Sequence, residues 1–198
     1  MLDTFTRLQA RLSAAQWLAL TILAVAFNLW ATQALNAAYA ASAFPVPYWE
    51  AQLSFDHQRL KGWYQALIDG QTLSLYWHAQ AVDFLFIASV LVLHPAALVL
   101  VSRLHAATSK GRQVLLAAAL LSALAPLFYA LENGVSFGML ANPLGFDPFL
   151  AVVYSTLAAA KFGLFTFAYV AAPLGVLWAL YAKLVRRSAR LPSAAAAD

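Results

Sequence analysis

Four stretches of the chain, residues 14–35, 75–101, 114–140 and 149–181, are apolar almost without interruption. Crossing about 30 Å of hydrocarbon takes roughly 20 helical residues, and each stretch is long enough. Backbone groups in lipid must hydrogen-bond within their own segment, so each stretch reads as a helix. The pattern predicts an all-α, polytopic membrane protein: a four-transmembrane-helix bundle forming one domain over residues 1–185. The fourth stretch exceeds a single crossing, which implies tilt or an extension beyond the bilayer. The basic, Ala-rich segment 186–198 reads as a disordered tail.

Residues 42–74 form the one sizeable connection. Its "FPVPYWE" (44–50) reads as an aromatic turn at the membrane boundary. Leu60, Trp63, Tyr64, Leu67 and Ile68 then recur at helical spacing, with Gly70 as the expected stop. This predicts a short amphipathic helix lying at the interface, either as an anchor or as a lid over an outward-facing cavity. "AYAASA" (38–43) offers signal-peptidase-like cleavage sites. The preceding apolar run is longer than a signal peptide needs and is interrupted by Asn28 and Gln33, so retention is expected.

Composition fits a lipid-embedded chain: 63% of residues are hydrophobic and only 10% charged, against about 25% charged in soluble domains. The lipid bilayer is therefore the first expected partner. The net charge of +4 does not call for nucleic acid, because the basic residues flank the apolar runs. Nine of the twelve Lys and Arg residues fall on one side of the expected topology: Arg7, Arg11, Arg103, Lys110, Arg112, Lys183, Arg186, Arg187 and Arg190. Arg59 and Lys61 fall on the other. The positive-inside rule then predicts cytoplasmic termini, in an inner (cell) membrane.

Several chemistries drop out. With no cysteine in the chain, disulfides, thiolate metal sites and thiol redox relays are excluded. Of His57, His78, His94 and His105, only His78 and His94 can lie within a span. They share one helix roughly 24 Å apart and cannot bracket a haem. His94 and His105 read as solvated near the inner face. No clustered histidines, catalytic-triad spacing or Gly-rich phosphate loop is present. No cofactor and no metal is expected, and no catalytic residue can be named.

Polar residues inside the spans carry the remaining signal. Tyr76, Gln80 and Asp83 share one stripe of the second helix, and Tyr129, Glu132 and Ser136 one stripe of the third. Tyr154 and Lys161 are seven apart on the fourth, while Thr21, Asn28 and Thr32 line the first. At 1.5 Å per residue, Asp83 and Glu132 both lie roughly 12 Å below the outer surface and Lys161 roughly 18 Å below it. Charges at such depth turn inward and pair. The expected core comprises Asp83, Glu132, Asn133 and Lys161, with Asn28, Tyr129, Gln80 and Tyr154 around them and His78, Trp63 and Tyr64 at an outer rim. Two carboxylates facing one ammonium leave a negative charge that a proton, a ligand cation or a metal could balance. Pro95, Pro126 and Pro173 each interrupt a helical ladder. Gly134 and Gly138 form a G-x-x-x-G element suited to close helix approach, within the bundle or between protomers.

"DFLF" (83–86), "LEN" (131–133) and "KF" (161–162) together resemble a group of small bacterial four-helix membrane proteins with an Asp … Glu-Asn … Lys intramembrane pattern. In that pattern an Asp often stands three residues before the Glu, where this chain has Tyr129. The resemblance implies the four-helix bundle and the choice of Asp83, Glu132 and Lys161, and implies no activity. The reading that follows is a protein binding a lipophilic small molecule, a lipid or a membrane partner around an acidic core open to the outside. Three alternatives stand beside it: an isomerase-like enzyme using a carboxyl pair on a lipid, a proton-coupled transporter, and a structural subunit of a membrane complex. A homo-oligomer is compatible with all of them.

Overall fold

A computed structural model of the protein describes residues 2–188, with side chains for 4–185. The described chain is 83% helix and has no strand. Its helices are α1 (Leu2–Gln9), α2 (Ala14–Ala41), α3 (Tyr48–Gln52), α4 (His57–Asp69), α5 (Leu73–Ser102), α6 (Lys110–Ser122), α7 (Leu124–Ala141) and α8 (Pro148–Ser188). Four helical stretches are long and apolar enough to cross a membrane: α2, α5, the α6–α7 path and α8. Of the expected tail, residues 186–188 continue α8, and the remainder lies outside the described residues.

Local chemistry sets the helix ends. Ser13 and Gln16 form a reciprocal capping box at the start of α2, each side chain accepting from the other's backbone N–H. Asp56 caps α4 by accepting from the Gln58 and Arg59 amides. Asp147 accepts from the Phe149 amide at the start of α8, with Pro148 in the first turn, where a missing N–H costs nothing. The third apolar stretch breaks at Ala123. Pro126 cannot donate to the Ser122 carbonyl, so the helical ladder is interrupted there and restarts as α7.

The packing departs from a symmetric bundle. α5 sits centrally, in contact with α2, α6, α7 and α8, while α2 packs extensively only on α5. Only Ala24 and Ala31 of α2 are buried; their small side chains let the two helices approach closely. The core proper is thus α5, α6–α7 and α8, with α2 laid against its outside. Gly134 and Gly138 have open space where a Cβ would stand, so this glycine pair faces out of the bundle and serves no packing within it.

At the basic end, the Arg103 guanidinium donates to the Gln9 and Leu12 carbonyls, which ties α1 to the end of α5. A cation here also complements the C-terminal end of α1. At the opposite end, α4 turns Leu60, Tyr64 and Leu67 into an aromatic-rich cluster with Phe44, Tyr76 and Tyr154. Phe44 and Tyr76 stack with ring centroids 4.5 Å apart. Leu60, Tyr64 and Leu67 of the α4 stripe are therefore docked on protein, closing the end of the core, while Ile68 stays exposed. The "FPVPYWE" segment is likewise more ordered than a turn, since Pro47 leads directly into α3.

The α4–α5 corner shows one local compromise. α4 ends at Asp69, and the left-handed residue beyond it is Gln71 (φ 57°), whereas Gly70 is right-handed. The Gln71 amide donates to Ile68 and the Thr72 amide to Leu67, the 5→2 and 6→1 bonds of a Schellman motif. A side chain at this position clashes with its own backbone, which glycine avoids. Gln71→Gly is predicted to raise stability by about 0.5–1 kcal/mol, the left-handed penalty less the extra freedom of the unfolded chain. Equilibrium unfolding in mild detergent measures it, and a loss of stability would contradict the assignment of strain to Gln71.

Candidate functional site

Three helices bring charge into one buried layer. Asp83 comes from α5, Glu132 from α7 and Lys161 from α8; Glu132 is fully buried, and Lys161 is 1% exposed. The Lys161 ammonium pairs with Glu132 Oε2 and lies 3.4 Å from the centroid of the Tyr129 ring, a cation–π contact. The Tyr129 hydroxyl donates to Asp83 Oδ1 at 2.8 Å, and Asn133 Nδ2 donates to Asp83 Oδ2 at 2.9 Å. Tyr129 thus joins the two halves, giving its hydroxyl to one acid and its ring face to the cation that neutralises the other.

Helical spacing explains how these groups meet. Tyr129, Glu132, Asn133 and Ser136 fall within two turns of one face of α7, all buried. Tyr76, Gln80 and Asp83 do the same on α5, where Gln80 Nε2 donates to the Tyr76 hydroxyl at 2.8 Å. Tyr154, two turns before Lys161 on α8, turns its hydroxyl toward Glu132. Above this layer stands Tyr64 of α4, whose hydroxyl faces Ser136 without meeting hydrogen-bond geometry. Burial pushes the Tyr64 hydroxyl well above its ordinary range, which keeps it a neutral donor.

Three other expectations are corrected, those for Asn28, Tyr64 and His94. Asn28 stays outside this layer: half-buried on α2, it donates to Ser89 Oγ of α5 at 2.8 Å, while Thr21 and Thr32 bond back to their own helix. At the level of Asn28, α2 packs against α5, and the Asn28 side chain goes to Ser89 instead of the charged layer. Tyr64 is no rim residue, being fully buried beneath the cap, and Trp63 is half-buried with the Arg59 guanidinium 5.0 Å above its ring. His78 is exposed on the outer side of α5, away from the core. His94 is not solvated: it is buried edge-on against Phe165 and Tyr169, with both ring nitrogens unpartnered. His105 reaches the Gly175 carbonyl at 3.0 Å.

A narrow cleft leads from the surface to Asp83. Leu35 and Tyr39 of α2, Tyr48 and Gln52 of α3, Ala79, Gln80 and Asp83 of α5, and Tyr129 of α7 line it. Its volume is about 20 Å³, room for one group the size of a water molecule. Gln52 and Gln80, each more than nine-tenths buried, leave their Oε1 atoms without a partner. Glu132 Oε1 and Asn133 Oδ1, deeper in the core, are also unpartnered. The Tyr64 and Ser136 hydroxyls are unpartnered too. The Gln52 and Gln80 oxygens of the cleft residues suit a group bearing N–H or O–H donors or a small cation. Gln52, Tyr48 and Tyr39 were not legible as site residues, because nothing in the local pattern ties the connection to the second span. Among the described residues, no three His, Cys, Asp or Glu side chains gather as a metal site.

Comparison with protein-family models, with curated proteins and with solved structures gave no match. The resemblance noted above thus rests on its short motifs alone. What fold and site define is an all-helical protein with four apolar helices of membrane-spanning length and a buried Asp–Glu–Lys core.

Removing one partner of a buried pair strands the other charge. Lys161→Met is predicted to destabilise by about 3–5 kcal/mol. The double variant Lys161→Met/Glu132→Gln should recover most of that loss. Thermal unfolding of the four corners of this cycle reads the coupling, and strictly additive losses would refute the pairing.

Proposed function

We propose that the chain is an integral protein of an inner membrane, with both termini cytoplasmic, and that it binds the polar head of a lipophilic small molecule or lipid in the Asp83 cleft. The observation that carries this reading is the cleft itself. A solvent-facing gap beside α2 and α3 ends at a buried carboxylate, with the unpartnered Gln52 and Gln80 oxygens beside it. A core serving packing alone gains nothing from leaving such atoms unpaired, since each unpaired buried acceptor costs about 1–3 kcal/mol. The volume admits only a head group, so the apolar remainder of the ligand lies outside, along the exposed apolar side chains of α2 such as Leu29 and Trp30.

The orientation draws support from the clustering of charge. Arg103, through its bonds to Gln9 and Leu12, joins the basic N-terminal segment and the α5–α6 connection at one end. Arg59 and Lys61 belong to α4 at the other end. Because the chain has no cysteine, single introduced cysteines label without background. In intact cells, Lys61→Cys should react with a membrane-impermeant maleimide, and Thr108→Cys only after permeabilisation. The opposite labelling would reverse the topology.

The ligand reading is tested by extracting what co-purifies in mild detergent. Wild-type protein is expected to retain a stoichiometric amphiphile, detectable by native mass spectrometry, that Asp83→Asn loses. If nothing is retained, or if retention ignores Asp83, the reading fails.

A further inference from the structure

The chemistry of the cleft narrows the class of ligand. Among the described residues, the deeply buried ionisable groups in the core are Asp83, Glu132 and Lys161, with His94 lying apart from them. Lys161 is already committed to Glu132 and to the Tyr129 ring. Arg59, on the cap helix, is committed to Glu50 at 2.9 Å and to Trp63. Asp83 is left with two neutral donors and no cation bonded to it. A carboxylate held by neutral donors in an apolar surrounding attracts a counter-charge strongly, because little solvent screens it.

Three features of the lining agree on what that counter-charge is. Two buried polar atoms of the cleft residues lack a partner, and both are oxygen acceptors: Gln52 Oε1 and Gln80 Oε1. Each Asp83 oxygen accepts a single hydrogen bond and keeps a free lone pair. Two amide oxygens and a carboxylate supply three acceptors, the number that one –NH₃⁺ group satisfies. Three of the eight lining residues are tyrosines, Tyr39, Tyr48 and Tyr129, and aromatic faces favour cations. The volume, about 20 Å³, matches a single small head and excludes a quaternary ammonium, which is several times larger than a water molecule. Among the described residues no three His, Cys, Asp or Glu side chains gather as a metal site. An anion is repelled by the Asp83 carboxylate.

We propose that the Asp83 cleft is a site for a small monovalent cation and that its natural occupant is a primary ammonium, carried as the head group of an amphiphile. The amphiphile half of this statement rests on the function proposed above; the cation half does not. Gln52 and Gln80 are then binding residues that set the donor count, and Asp83 supplies the charge.

The probes that separate the two halves are methylammonium, sodium and tetramethylammonium chlorides at constant ionic strength, together with dodecylammonium and dodecanol. Binding is read in neutral-detergent micelles as a shift of the unfolding midpoint and of tryptophan fluorescence. Methylammonium is expected to bind saturably and tetramethylammonium not at all, with dodecylammonium tighter than either and dodecanol much weaker. Gln52→Leu, which leaves every core charge in place, should weaken dodecylammonium about tenfold, the loss of one charge-assisted hydrogen bond. This variant keeps the test valid if Asp83→Asn fails to fold.

Equal binding of dodecanol and dodecylammonium would overturn the cation site and leave the amphiphile reading standing. Methylammonium binding with no gain from the twelve-carbon tail would uphold the cation site and end the amphiphile reading. Saturable sodium binding without ammonium binding would keep a monovalent cation and refute the ammonium. Binding of none of the probes would overturn both readings.

Discussion

An ammonium buried among apolar helices is tolerable only when something neutralises it. In this protein the Glu132–Lys161 pair imposes that condition on the whole architecture. The two residues stand 29 positions apart on helices joined by a short turn, so α7 and α8 must pack antiparallel with their polar stripes in register. Tyr129 extends the constraint to α5, because its hydroxyl must reach Asp83 while its ring lies against Lys161. A slip of one turn in any of the three helices would break several of these contacts together. Packing of Leu and Ala side chains, which is permissive to such slips, could not specify the arrangement as sharply.

The outer end of the core is sealed by a different device. Instead of charge, α4 contributes Leu60, Tyr64 and Leu67 to rings already stacked around Tyr76 and Phe44. Phe55, held at φ 53°, donates its amide to Ser155 of α8 and fixes the connection before α4 begins. The cap and the cleft are neighbours with opposite properties. Over Glu132 the aromatic cluster excludes solvent, while a few residues away Gln52 and Gln80 keep a polar gap beside Asp83. One acid is enclosed with its cation, and the other remains approachable.

Much of this was legible in the chain because two signals are strong. Apolar runs of more than 20 residues have few structural solutions, and polar residues inside them can be followed along a helix by 3.6-residue spacing. That logic singled out Asp83, Glu132 and Lys161 together with Tyr129, Asn133 and Tyr154. It failed where periodicity identifies a stripe but not what the stripe meets. Asn28 and Thr32 form as good a polar line as Tyr76 and Gln80, yet α2 lies outside the core. The amphipathic face of α4 would look the same whether it met lipid or protein. His94, without polar neighbours on its helix, gave no sign that it would be buried against Phe165 and Tyr169. The helical turn of α3 was masked by the two prolines that precede it, and with it Gln52.

The peripheral station of α2 separates two properties that are usually bound together. Leu35 and Tyr39 make it one wall of the cleft, yet it holds to the rest chiefly through α5. Neither Glu132 nor Lys161 is among its hydrogen-bond or ring partners. For the proposed occupant, Asp83 and the amides beside it would set the depth of the energy well. The height of the barrier to entry and escape would follow from the packing of the buried Ala24 and Ala31. Substitutions at those two alanines should therefore alter residence time far more than equilibrium occupancy, so that natural selection could tune exchange without touching recognition.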